Sequence, residues 1–258
     1  MPGDPDGPEK KLRKVTMEEA QEFMKARQEA SSRIAGGVSA CILSFVPLLI
    51  LNALFETGRI VMPEELVNGI GVAILLLVVA AAVATFILSG LKIGKYEYLE
   101  KESFELSYGI EGMVRKKSEE YAPGFTVRTA FGVGLCIVGV IPILLVDGFF
   151  HDELADSIAL VFLLTAVAAG VYQFVSVGMV KGSYDQLLQI GDYTKEGKEA
   201  GKVIGRIAAV YWCVATAIYV GYSLATRDWH RSWILWPVAG ILFGAIAGYV
   251  RLRGKHEK

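Results

Sequence analysis

Cysteine and histidine are nearly missing from this chain of 258 residues, which holds three of each. Cys41, Cys136 and Cys213 each lie inside an apolar run, their number is odd, and no C-x-x-C occurs. A disulfide framework and a zinc site are therefore excluded. His151, His230 and His256 are scattered, so the closely spaced imidazoles that a membrane di-iron oxygenase needs are lacking. G-x-S-x-G, H-E-x-x-H and the Walker loop are absent as well. The glycines at Gly109 and Gly112 follow no strand pattern and make no nucleotide fingerprint. These absences point away from an enzyme and from any cofactor or metal.

Charge is missing too, though only locally. A soluble domain spreads about 25% charged residues along its length. Here 21% are charged, but they fall in blocks separated by long uncharged stretches. Hydrophobic residues make up 53% of the chain, and the mean hydropathy is +0.43. Six apolar runs stand out: Ile34–Phe55, Val67–Leu91, Ala130–Phe150, Ile158–Val180, Val203–Ala225 and Ser232–Val250. Each approaches the ~20 residues that carry a helix across about 30 Å of hydrocarbon. None alternates in polarity as a barrel strand would, and backbone groups in lipid need partners within their own segment. The expected fold is all-α and polytopic, with six transmembrane helices in three hairpins. The first run begins after more than thirty polar residues, which is not the plan of a cleaved secretory signal.

Lysine and arginine orient the spans. Seven precede the first run, seven lie between Lys92 and Arg128, five between Lys181 and Arg206, and four from Arg251 onward. Those 23 share one side, and only Arg59, Arg227 and Arg231 fall on the other. Both termini are accordingly expected in the cytoplasm. The opposite loops are short, two of them are acidic, and the third is bracketed by Trp229, Trp233 and Trp236, an interfacial aromatic anchor.

The first two hairpins look alike. Gly37-Val38-Ser39-Ala40-Cys41-Ile42 with Pro47 matches Gly132-Val133-Gly134-Leu135-Cys136-Ile137 with Pro142 at an offset of 95. Gly94-Lys95-Tyr96-Glu97-Tyr98-Leu99 matches Gly182-Ser183-Tyr184-Asp185-Gln186-Leu187 at an offset of 88, the difference being a shorter outer loop. Copies of two spans each enter the bilayer the same way round, which makes this a parallel repeat. Its expected bounds are about 34–101 and 129–189, with a diverged third hairpin at about 203–250. Small residues four before each cysteine (Gly37, Gly132, Ala209) suggest helix packing through these positions and through Cys41, Cys136 and Cys213. Gly240, Gly244 and Gly248 repeat the spacing in the last span. Pro47 and Pro142 should kink their helices, with freed carbonyls met by neighbours or by Ser44.

Outside the spans, residues 1–15 read as a disordered tail rich in Pro, Gly, Asp and Lys. Thr16-Met17-Glu18-Glu19 fits a capping box that opens a juxtamembrane helix over 16–33. The loop 92–128 reads as an amphipathic helical segment on the inner face, ending before Pro123, whose Arg115-Lys116-Lys117 can meet anionic headgroups or simply fix topology. Ionisable groups are almost lacking within the spans. Asp147 and Arg206 lie near span ends, within snorkelling reach of water. Tyr211, Trp212, Thr216, Tyr219 and Tyr222 make the fifth span the most polar and aromatic, and Gln173 adds an amide in the fourth. They are candidates either for lining a small-molecule pocket or for interhelical hydrogen bonds.

Several of these stretches form a set: Cys41-Ile42-Leu43-Ser44 with Pro47; Lys95 to Lys101; Tyr108 to Arg115; Ser183 to Leu188 with Gly191-Asp192-Tyr193-Thr194; and Arg231 to Gly240. Through them, most of the chain from about Ile34 onward resembles the membrane portion of an uncharacterised bacterial family, chiefly of Gram-positive bacteria. In many of its members this portion follows a helix-turn-helix DNA-binding domain of the lambda-repressor type. The 33 residues before the first span are too short and polar for that domain, so no direct binding of nucleic acid is implied. Some members are described as permease-like or carotenoid-cleaving, and the histidine count argues against the latter. The resemblance implies a protein of the bacterial cytoplasmic membrane. Its partners would be the bilayer and a cytoplasmic or membrane protein. The leading expectation is a non-enzymatic sensor, anchor or accessory subunit, and the alternative is a small-solute permease.

Overall fold

The computed structural model describes residues 12–149, 153–227 and 229–256, with side chains over 12–146, 154–227 and 231–252. Residues 1–11 of the expected tail, and the side chains of Asp147, His151, Trp229, His230 and His256, lie outside the described part. Apart from one pair of three-residue strands, the regular structure among the described residues is helical. Its helices are α1 (Met17–Leu43), α2 (Val46–Glu56), α3 (Glu64–Gly94), α4 (Tyr98–Lys101), α5 (Ile110–Phe149), α6 (Glu153–Leu187), α7 (Lys195–Thr226), α8 (Trp229–Ser232) and α9 (Leu235–His256). Among the described residues, six helical stretches are long and apolar enough to cross a membrane: α1 with α2, then α3, α5, α6, α7 and α9. The chain is an all-α, multi-pass membrane protein.

Local chemistry explains the boundaries. The Thr16 hydroxyl accepts from the Glu19 amide at 3.2 Å, a side-chain cap that opens α1. From there α1 runs unbroken to Leu43, so the juxtamembrane helix and the first span are one element. The break comes at Ser44–Phe45, because Pro47, in the first turn of α2, has no N–H for the helix behind it and crowds the carbonyl of Leu43. Ser44 Oγ donates to the Cys41 carbonyl at 2.7 Å, two residues before the Leu43 carbonyl that Pro47 frees.

Three expectations need correction. Residues Arg13–Val15, placed in the disordered tail, form strand β1, which pairs in parallel with β2 (Phe104–Leu106) through Arg13↔Phe104 and Val15↔Leu106. Gly109 therefore does follow a strand. Its φ of +84° turns the chain from β2 into α5, a conformation that suits a residue without Cβ. Finally, α5 does not end before Pro123 but continues through it. The carbonyl that loses its partner belongs to Glu119, an exposed residue, where water can replace the missing N–H.

Forty helical residues reach about 60 Å at ~1.5 Å each, twice the hydrocarbon thickness of about 30 Å. Much of α5 therefore stands outside the apolar layer. The chain divides into two compact units, one within Met1–Leu99 and Phe104–Leu188, the other within Glu100–Ser103 and Gln189–Lys258. In the first, α6 packs against α5, α1 and α2, and α3 packs against α1 and α2. In the second, α7 packs against α9 and α8.

Candidate functional site

The polar and aromatic residues of the fifth span divide between partners. Tyr211, Tyr219, Trp236 and Ala239 line a cleft of about 220 Å³ between α7 and α9, walled otherwise by aliphatic side chains such as Val214 and Leu242. The Tyr211 hydroxyl is already engaged, donating to the Ala239 carbonyl at 2.7 Å. Trp212 stacks on Trp236 at 6.0 Å between centroids, and Tyr211 lies 5.4 Å from Phe243. Thr216 turns back to the Trp212 carbonyl at 2.8 Å, while Tyr222 is exposed and lines a separate surface hollow. Gln173 belongs to the other unit, where it lines a cavity with Ser32, Arg128 and Tyr172. What remains at the α7–α9 cleft is an aromatic-walled apolar slot with no free acid, base or nucleophile in its lining. Replacing Tyr211 by Phe should cost about 0.5–1.5 kcal/mol of stability, the net worth of one hydrogen bond. Thermal unfolding in detergent micelles measures it.

The small-residue positions also divide. A Cβ at Gly37 would come within 2.6 Å of the Phe86 ring, and one at Gly132 within 2.8 Å of Phe174. Gly170, which the cysteine-based spacing passed over, is tighter still, for its Cβ would stand 2.7 Å from Cys136 Sγ and 2.8 Å from the Gly132 carbonyl. Cys41 and Cys136 are half-buried. By contrast, Gly240, Gly244 and Gly248 have nothing within 4 Å of such a Cβ, and Ala209 and Cys213 are exposed. Within the second unit, the last span's glycines and the Ala209–Cys213 pair thus stay clear of the described side chains packed between α7 and α9.

The densest chemistry lies where the apolar runs stop. Among the described residues, the five bulkiest fully buried side chains are Phe23, Phe104, Leu99, Ile110 and Leu187, and all belong to one cluster completed by Val15, Ala20, Met24, Tyr96 and Val114. It joins β1, the first turns of α1, α4, β2, the start of α5 and the end of α6 into a packed head. Polar groups ring it. Arg13 pairs with Glu19 at 2.7 Å and lays its guanidinium over the Tyr98 ring at 3.7 Å. The Tyr98 hydroxyl donates to the same Glu19 oxygen at 2.8 Å. Burial, reinforced by that carboxylate, holds the Tyr98 proton well above the usual tyrosine range. Arg27 donates to Gln186 Oε1 at 2.9 Å, and Ser107 Oγ to the Val15 carbonyl at 2.8 Å. Beside this ring, Tyr108 is wholly exposed on the turn before α5.

Most of the stretches that carry the resemblance meet here: Tyr96, Tyr98 and Leu99 from one, Ile110 and Val114 from the next, Gln186 and Leu187 from a third. The Gly191–Thr194 stretch has its own local task in the second unit. The Thr194 hydroxyl accepts from the Gly197 amide at 3.0 Å and so caps α7. No family model, curated protein or solved structure matches the chain.

Proposed function

We propose that this protein is a non-enzymatic membrane sensor, anchor or accessory subunit that works through its packed head. The observation that carries this reading is the placement of the buried core: it lies at the ends of the spans and is drawn from three stretches far apart in sequence, 15–24, 96–114 and the end of α6 at Leu187. A purely lipid-embedded bundle has no use for so precise a water-facing structure, whereas a protein that docks or reads a partner does. In this reading the head faces the cytoplasm, with both termini there, because 23 of the 26 lysines and arginines lie on that side. The spans act as three hairpins, and the first two are a parallel repeat. Supporting the repeat, the contact of Gly37 with Phe86 recurs as Gly132 with Phe174, shifted by the same 95 and 88 positions as the sequence match. Kinship with the membrane portion of the bacterial helix-turn-helix regulators belongs to the same proposal.

A photo-crosslinking residue at Tyr108, the exposed aromatic of the head, tests it in living cells. A discrete adduct to one protein is expected there, and none from Leu77, a lipid-facing control 71% exposed on α3. Repeated failure to find an adduct at Tyr108 and its neighbours would count against docking. The aromatic slot between α7 and α9 favours the second reading, a permease for a small solute. Flux in proteoliposomes that falls on mutation of Tyr211 and Tyr219 would support it, and indifferent flux removes those residues from the case.

A further inference from the structure

Between α1 and α3 a cleft of about 380 Å³ opens at the level where both apolar runs end. Arg33 immediately precedes the run that begins at Ile34, and Lys92 immediately follows the one that ends at Leu91. Lys25 and Lys95 also line the cleft, opposed by Glu22 and Glu29, which leaves two positive charges in excess. Among the described residues, none of the four cations is held in an ion pair. Glu22 accepts from the Tyr96 hydroxyl at 3.2 Å, and Lys95 sits over the Tyr96 ring.

The lining includes one group that the protein leaves unserved. Ser89 is 1% exposed, and its hydroxyl has no hydrogen-bond partner. A helical serine ordinarily turns back to a carbonyl three or four residues behind, as Ser31, Ser44 and Ser183 do here. Ser89 does not, although an unpaired buried hydroxyl is unfavourable. A buried donor beside unpaired cations, at the height of the lipid headgroups, is what an anionic oxygen requires. Leu88 and Leu91, both largely exposed beside it, offer an apolar surface on which acyl chains can lie.

We propose that this cleft binds an anionic phospholipid, with Arg33, Lys92 and the Ser89 hydroxyl on its phosphate. The site needs only that the chain sits in a bilayer, and it holds for either orientation of the spans and for either functional reading.

Native mass spectrometry of the full chain in detergent, titrated with phosphatidylglycerol, phosphatidylcholine or glycerol phosphate, tests it. Phosphatidylglycerol should be retained in preference to phosphatidylcholine, and glycerol phosphate should bind far more weakly than the lipid. Neutralising Arg33 and Lys92 to Gln should weaken retention by roughly fivefold per cation, the effect of one basic residue near a membrane surface. Lys195→Gln with Lys202→Gln, exposed on the first turns of α7, should change nothing. Ser89→Ala should weaken retention while leaving the lipid-free unfolding midpoint unchanged or higher, because it removes an unpaired hydroxyl. Equal retention of phosphatidylcholine would overturn the proposal, as would an equal loss in the Lys195/Lys202 variant. Glycerol phosphate binding as tightly as the lipid would move the ligand out of the bilayer and overturn the lipid assignment. Ser89→Ala keeps the test decisive even if the charge variants fold poorly, since unchanged retention in that variant would sink the site.

Discussion

Truncating Phe104 to Ala should destabilise the protein by about 3–5 kcal/mol, the range for deleting a fully buried aromatic ring. Phe104 is 2% exposed and stands in β2 against Phe23, Leu99 and their neighbours in the head. The ring lies in the strand that ties the N-terminal segment to the middle of the chain, so its loss should loosen β1 as well as leave a cavity. The matching truncation of Leu77, 71% exposed on a span, should cost under about 0.5 kcal/mol, as for surface sites generally. Unfolding midpoints of the two variants in one detergent provide the comparison. If Leu77→Ala proved the more damaging, the structural weight would lie in the spans and the head would be an accessory.

The second large effect concerns the seam between α5 and α6. An alanine at Gly170 would place its methyl against the backbone of Gly132 and the sulfur of Cys136, and backbone cannot swing aside as a side chain can. The helices must part, at a cost of about 1–3 kcal/mol for overpacking. Gly244→Ala on α9 should behave oppositely. Nothing lies within 4 Å of the new methyl, and Ala is the better helix former by about 0.5–1 kcal/mol. Thermal unfolding of both proteins reads the difference in sign. A destabilised Gly244→Ala would mean that something covers that face.

That contrast marks how far the sequence could be read. The six apolar stretches were plain because hydrocarbon tolerates no ionised side chain, a constraint every residue of a span obeys. Gly37 and Gly132 were legible as packing positions through their spacing to the cysteines. At Gly240, Gly244 and Gly248 the same i, i+4 spacing says that a helix has a smooth face but not which neighbour fills it. Gly170 carried no such tag, because it is defined only by what stands across from it. The strand pair was beyond reach of local pattern: Arg13–Val15 and Phe104–Leu106 are three residues each, and 91 positions separate Arg13 from Phe104. Pro123 was read as a stop, yet at an exposed turn water can replace the lost hydrogen bond. The head was present in the sequence only as scattered motif residues, and the polarity of the fifth span drew attention instead.

The most direct test of the account is labelling from one side of the membrane. In a background lacking Cys41, Cys136 and Cys213, single cysteines at Arg59, exposed on the loop after α2, and at Lys116, exposed beside the head, are offered a membrane-impermeant thiol reagent in intact cells. Arg59→Cys should react at once, and Lys116→Cys only after the cells are broken open. Labelling of Lys116→Cys from outside, with Arg59→Cys shielded, would place the head on the wrong side of the bilayer and contradict the account.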